Sequence, residues 1–227
     1  NNSIRIEGNV LFSQDGTNKC DDTTNTFYNH RSGIHGIVES ISTQLGGNGP
    51  VAEYLSNYGR YVNMKEAASK DADDYFNSAD ICELKCGDYN TAKDIVRGKA
   101  INANPVVFEL GDFSFKPMFC LNRMNGNSLS LKPYQDIIKV SINLARNQAF
   151  LCGSGVTNAS RYEITNLRLT YRTIPNSPTP NVSCNSYVSL KQTINGPRVN
   201  INTRVPAVAS GVAVSFLQQA KENVNIE

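Results

Sequence analysis

Apolar and polar residues alternate over much of this chain, the two-residue period of strands that turn one face to a core and the other to water. Near the start, Ile4, Ile6, Val10 and Phe12 fall on one side and Arg5, Glu7 and Asn9 on the other, which predicts a half-buried strand over residues 3–12. Residues 33–45 carry Ile34, Ile37, Val38, Ile41 and Leu45 and read as a second strand, ended by the turn Gly46-Gly47-Asn48-Gly49. Pro50 suits the first position of a helix, and Val51, Tyr54, Leu55, Tyr58 and Val62 follow at helical spacing, so a helix covering one end of a sheet is expected there. Residues 65–104 lack a strong apolar period and read as a long polar excursion with short helical stretches.

Strand signals return at residues 106–115, where Val106, Phe108 and Leu110 share a face, and at residues 138–144, where Ile138, Val140, Ile142 and Leu144 do. A further strand is expected over residues 162–174, with Leu167, Leu169 and Tyr171 alternating against Arg168, Thr170 and Arg172. Pro175, Pro178 and Pro180 exclude a central strand and predict a loop, and Tyr187, Leu190 and Ile194 suggest a short helix. Two last strands are expected at residues 199–205 and 208–216, separated by Pro206. Seven or eight strands with long insertions, no βαβ rhythm and no internal repeat point to an all-β fold. The expected architecture is an antiparallel jelly-roll β-sandwich with short helices in long inter-strand loops, one domain over residues 1–227.

Composition narrows the classes. The 227 residues are 40% hydrophobic and 19% charged, with no Trp and many Asn, Ser and Thr, which suits strands joined by polar loops and excludes a disordered polyelectrolyte or a coiled coil. No run approaches the roughly 20 apolar residues of a membrane-spanning helix, and mean hydropathy is −0.36. Lys and Arg total 22 against 20 Asp and Glu, without long like-charge runs, so no specific nucleic-acid binding is expected. The chain begins at Asn1 without Met, as a processed product or a piece of a longer chain would.

Candidate chemistry is sparse. Cys20, Cys82, Cys86, Cys120, Cys152 and Cys184 are widely spaced and are expected to be free thiols; only Cys82 and Cys86 lie close, and a zinc site would need two more ligands beside them. His30 and His35 are the only histidines a nucleophilic triad could use, and Gly153-Ser154-Gly155 lacks the nucleophile-elbow spacing and reads as a strand-ending turn. The Gly46–Gly49 run lacks the Lys-Ser/Thr of a phosphate loop. Asp71, Asp73 and Asp74 could offer oxygen ligands to Ca²⁺ but read as a solvated helix end without an EF-hand pattern. Glu39, Glu53, Glu109 and Glu163 leave open a pair of glycosidase carboxylates, which has no local signature. Tyr54, Tyr58 and Tyr61 beside Arg60 could stack on sugars or bases, although their helical spacing favours packing. Asn158-Ala-Ser160 and Asn181-Val-Ser183 are chance-level glycosylation triplets. No catalytic, cofactor-binding or metal-binding residue is assigned.

Read in series, Arg5-Ile-Glu-Gly-Asn-Val-Leu-Phe12, Gly33-Ile-His-Gly-Ile-Val-Glu-Ser-Ile41 and Val51-Ala-Glu-Tyr-Leu-Ser-Asn-Tyr-Gly-Arg60 resemble the first jelly roll of double jelly-roll viral major capsid proteins. The resemblance is to those of virophages and polinton-like viruses, within the lineage of tailless double-stranded DNA viruses. Phe113-Ser-Phe-Lys-Pro117, Tyr162-Glu-Ile-Thr-Asn-Leu-Arg-Leu169 and Val205-Pro-Ala-Val-Ala-Ser-Gly-Val-Ala-Val-Ser-Phe216 extend it along the chain in the family's order. The resemblance implies the first of two jelly rolls in a longer chain and a structural, non-enzymatic role in the virion. It also implies homotrimeric, pseudo-hexagonal capsomers that contact one another and penton or minor capsid proteins, and no cofactor. Two other roles stay open: a single jelly-roll penton or minor capsid protein, and a carbohydrate- or receptor-binding jelly roll. An enzyme on a β-sandwich is the remaining class.

Overall fold

The computed structural model describes residues 4–14, 25–49, 51–69, 81–98, 113–122 and 130–173, with residue 187 and a few residues between 192 and 200. The strands expected at 199–205 and 208–216, the loop at 174–180, the first part of the strand at 106–115, Asp71, Asp73, Asp74, Glu109, Cys20 and Cys184 lie outside them.

The described chain is built mainly of antiparallel strands with a few short helices. Strand β1 (Arg5–Ser13) is central to one sheet, between β5 (Phe113–Phe115) and β8 (Arg161–Thr170). Strand β3 (Val38–Leu45) is central to a second, between β4 (Val51–Ser56) and β6 (Ile138–Leu144). A two-residue pair, β2 (Phe27–Tyr28) with β7 (Leu151–Cys152), links the loops at one end. The helices are α1 (Tyr58–Ser69), α2 (Tyr89–Gly98) and the single turn α3 (Asn147–Phe150). None of the described helices is long and apolar enough to cross a membrane.

The period of β1 does what its sequence dictates. Ile6, Val10 and Phe12 are buried, and Gly8 shares their face because a side chain there would meet the Phe113 ring at 3.0 Å and the Thr165 carbonyl at 3.1 Å. On the opposite face Glu7 accepts hydrogen bonds from Arg168 (2.9 Å) and from the Ser114 and Thr170 hydroxyls (both 3.3 Å), a polar cross-strand set suited to water. In β8 the pairing slips by one residue, so that Glu7 faces Arg168 while Asn9 faces Thr165. Asn166, at φ 53°, occupies this bulge and donates to the Asn9 side chain at 3.2 Å. The bulge changes the phase of β8: Tyr162 and Ile164 oppose Phe12 and Val10, yet beyond it Leu169 opposes Ile6.

Three expectations are corrected. Residues 33–37 form a 3₁₀ turn rather than the start of a strand, because Gly33 sits at φ 53° and Ile34 and Ile37 bury at a three-residue spacing; the strand begins at Val38. The helix expected from Val51 is strand β4 up to Ser56, and α1 begins only at Tyr58, after Asn57 turns the chain at φ 51°. The turn at residues 46–49 closes a hairpin, so β4 pairs with β3 (Leu55 with Ile41, Tyr54 with Ser42), and cross-strand bonding wins over helical spacing. The polar excursion also contains a well-formed amphipathic helix: α2 buries Ala92 and Val96 one turn apart while Thr91 and Asp94 stay outside.

One apolar core joins both sheets. Phe12, Tyr28 and Phe150 stack at centroid separations of 5.7–6.2 Å, Tyr162 meets Phe150 edge-on at 5.2 Å, and Ile34, Ile41, Leu55, Val62 and Phe115 fill the remainder. Tyr187 is not helical, and its ring packs on Tyr61 at 4.3 Å.

Candidate functional site

Among the described residues, the densest meeting of titratable groups is wholly internal. His35, on the 3₁₀ turn, is fully buried, with its ring edge-on to Phe115 at 4.8 Å. Its Nδ1 lies 2.9 Å from the Tyr58 hydroxyl on the first turn of α1, and its Nε2 lies 3.1 Å from Glu83 Oε2. The Met118 backbone N–H donates to the Tyr58 oxygen at 2.8 Å, which leaves the phenol hydrogen for Nδ1. The network therefore assigns the imidazole proton to Nε2, which donates it to Glu83.

Glu83 is shared further. Its Oε2 is 2.7 Å from the Lys85 ammonium, its Oε1 accepts the Lys116 N–H at 3.3 Å, and Lys85 reaches across to Glu66 of α1 at 3.1 Å. The result is a chain Tyr58–His35–Glu83–Lys85–Glu66 that ties the 3₁₀ turn and α1 to residues 81–86. Burial holds the His35 imidazole below its ordinary value, against the pull of Glu83, and keeps it neutral. Burial pushes the Glu83 carboxyl up, but His35 and Lys85 outweigh it and leave it well below the usual carboxylate range. Lys85 is raised because Glu83 and Glu66 outweigh its own desolvation.

The backbone makes room for this segment. Leu84 is left-handed at φ 53°, a costly conformation for a side-chain-bearing residue. It is held by the Tyr28 hydroxyl donating to its carbonyl at 2.8 Å and by the Cys86 N–H donating to the His30 carbonyl at 3.2 Å. A Cβ on Gly33 would lie 2.3 Å from the Glu83 carbonyl, so only glycine lets the two turns meet.

The arrangement has the composition of a proton relay without its access. A general acid or base must reach the proton it moves, and His35 has no surface at all. Chemically it is a clamp: every member neutralises or hydrogen-bonds another inside the fold.

The other sequence candidates disperse. His30 is buried edge-on to Tyr89 at 4.2 Å, and burial lowers its pKa first, with Arg31 adding to the effect. Glu53 is buried and accepts the Cys120 N–H, Glu163 pairs with Arg161 at 3.0 Å on the surface, and Glu39 is exposed. Tyr58 is core, Tyr61 packs on Tyr187, and Tyr54 stands exposed on β4, so the three do not form a stacking platform. Gly153-Ser154-Gly155 is the expected turn, with Gly153 at φ 109° against the Asn25 carbonyl. Cys82, Cys86, Cys120 and Cys152 are free thiols; burial pushes Cys86 up to about 11. No three His, Cys, Asp or Glu side chains among the described residues converge as a metal ion would require.

Reading the sequence for chemistry found His35 but not its partners. Glu66, Glu83 and Lys85 lie 31, 48 and 50 residues further along in a segment that looks solvated. The available signal was Leu84 between two charged residues and two cysteines, an apolar anchor that carries its neighbours inward.

The surface offers a different kind of site. Large apolar side chains stand exposed on the outer strands, among the described residues, of both sheets: Val51 and Tyr54 on β4, Leu144 on β6, and Leu167 and Leu169 on β8, each close to half exposed or more. Compared with protein-family models, with curated protein sequences and with solved structures, the chain matches none.

Proposed function

We propose that the chain is a structural building block of a viral capsid: a jelly roll whose sheets stand as a rigid wall and whose edges and loops join copies into trimeric, pseudo-hexagonal capsomers of an icosahedral shell. The observation that carries the reading is the set of exposed apolar residues on β4, β6 and β8. An exposed strand edge with apolar side chains favours pairing with another chain, and repeated contacts of modest area close a shell.

The topology supports the jelly roll. The chain places β1 in the first sheet, the β3–β4 hairpin in the second, β5 in the first, β6 in the second and β8 in the first. This traffic sets strands distant in sequence side by side, as the Greek keys of a jelly roll do. The sealed His35 network supports a structural rather than an enzymatic role, since rigidity is what a wall requires. Residues 83–86, within the polar excursion, are buried in the fold.

The test is native mass by light scattering on a size column, with the denatured mass beside it. A trimer or larger closed array, lost on changing Leu167 and Leu169 together to Asp, is expected. A monomer at all concentrations overturns the reading in favour of a ligand-binding jelly roll.

A further inference from the structure

We propose that the groove between the start of α1 and the turn before α3 binds a small acidic sugar: one hydroxylated ring carrying a carboxylate or phosphate. The groove has a volume of about 290 Å³, at the lower limit of the roughly 300–1,000 Å³ typical of small-molecule sites, which suits one ring rather than an oligosaccharide. Beside it α1 packs onto the 3₁₀ turn at two glycines. A Cβ on Gly59 would lie 3.2 Å from Gly36 Cα, and one on Gly36 would press 2.9 Å into the Phe150 ring.

Its charge is set by two arginines from different elements. Arg60 comes from the first turn of α1 and Arg146 from the residue before α3, and both line the groove. Arg146 is exposed and makes no side-chain hydrogen bond or ion pair among the described residues, so its guanidinium is available to a carboxylate or phosphate. The first turn of α1 contains no acidic residue, so the positive end of the helix dipole reinforces the arginines.

An inorganic anion leaves part of the site unused. Asn63, a further lining residue, buries its Oδ1 without a hydrogen-bond partner, and a buried acceptor in that state requires a donor. Glu39, also in the lining, presents a second acceptor that would repel a bare anion. Hydroxyl groups on a ring satisfy both acceptors while the ring's anionic substituent meets Arg146. Leu144, half exposed on the same wall, covers the C–H side of such a ring, and no aromatic residue lines the groove for a nucleobase to stack on.

Calorimetric titration of the full chain at low salt would use glucuronate, glucose 6-phosphate, glucose and inorganic phosphate. The acidic sugars are expected to bind at least about tenfold more tightly than glucose or phosphate, and the tighter of the two identifies the anionic group. Arg146→Met should weaken them about tenfold to a hundredfold, as loss of a charge-assisted hydrogen bond does, with an unchanged unfolding midpoint. Asn63→Leu should weaken the sugars and leave phosphate unaffected. Equal binding of glucose, phosphate as tight as the sugars, no binding at millimolar ligand, or an indifferent Arg146→Met variant would each overturn the proposal.

Discussion

Replacing Lys85 by Met tests the buried clamp most directly. Lys85 is nearly enclosed, and its ammonium neutralises Glu83 at 2.7 Å and Glu66 at 3.1 Å. Met fills similar volume but removes the ammonium that Glu83 and Glu66 share, Glu83 keeping the His35 and Lys116 N–H groups. Breaking a buried pair by removing one partner costs about 3–5 kcal/mol, several times an exposed pair, because the stranded charge keeps its desolvation penalty. In a chain of this size that is a fall in melting temperature of roughly 6–20 °C. Urea unfolding followed by tyrosine fluorescence, unobstructed because the chain has no Trp, would measure it. Adding Glu66→Gln to Lys85→Met removes one stranded charge and should recover at least ~1 kcal/mol. The deficit should also shrink in acid. In the parent, Glu83 titrates below its unfolded value, so its contribution is complete above about pH 4.5 and fades as pH falls towards the folded value. In the variant the carboxyl relaxes upward, this contribution disappears, and the two stability curves converge on acidification. A cost under ~1 kcal/mol for Lys85→Met, or no recovery in the double variant, would refute the idea that the clamp is desolvated.

Other consequences follow from the same geometry. Burial lowers both His35 and His30, so below about pH 6.5 the unfolded chain takes up protons that the fold refuses; stability should fall by up to ~1.4 kcal/mol per pH unit for each histidine, and a flat profile of urea midpoints between pH 7.5 and 5.5 would contradict this. Gly33→Ala combines a positive φ with a 2.3 Å approach to the Glu83 carbonyl and should cost over ~2 kcal/mol, whereas Gly47→Ala, whose nearest neighbour is 3.6 Å away, should stay within about 1 kcal/mol; equal melting temperatures would disprove the close packing of the two turns. Mass-mapped labelling with a maleimide should modify Cys82 in the folded chain and reach Cys86, Cys120 and Cys152 only on unfolding.

Where one periodicity governed a segment, sequence and structure agree. Residues 5–13 and 138–144 are strands in the expected places because alternating apolar residues have one way to reach a core. Around Val51 two periods fit the same residues. The strand reading requires Glu53 to point inward, which sequence alone disfavours, yet Glu53 is buried because the Cys120 N–H lies within its reach. In β8 the sequence alternates without a visible break, but the slip at Asn166 is set by Gly8 on the neighbouring strand and by the Asn9 side chain.

The chain by itself determined that strands dominate, that they pair antiparallel and that the run at residues 46–49 is a turn. These are properties of neighbouring residues: alternation, turn chemistry and the spacing of reactive groups act over a few positions. Only the tertiary structure decided that Tyr58, His35, Glu83, Lys85 and Glu66 form one buried network, that Gly33 must be glycine, and that two arginines 86 positions apart share a groove. Those outcomes depend on which desolvated group finds a partner, and the partner's distance in space has no counterpart in its distance along the chain.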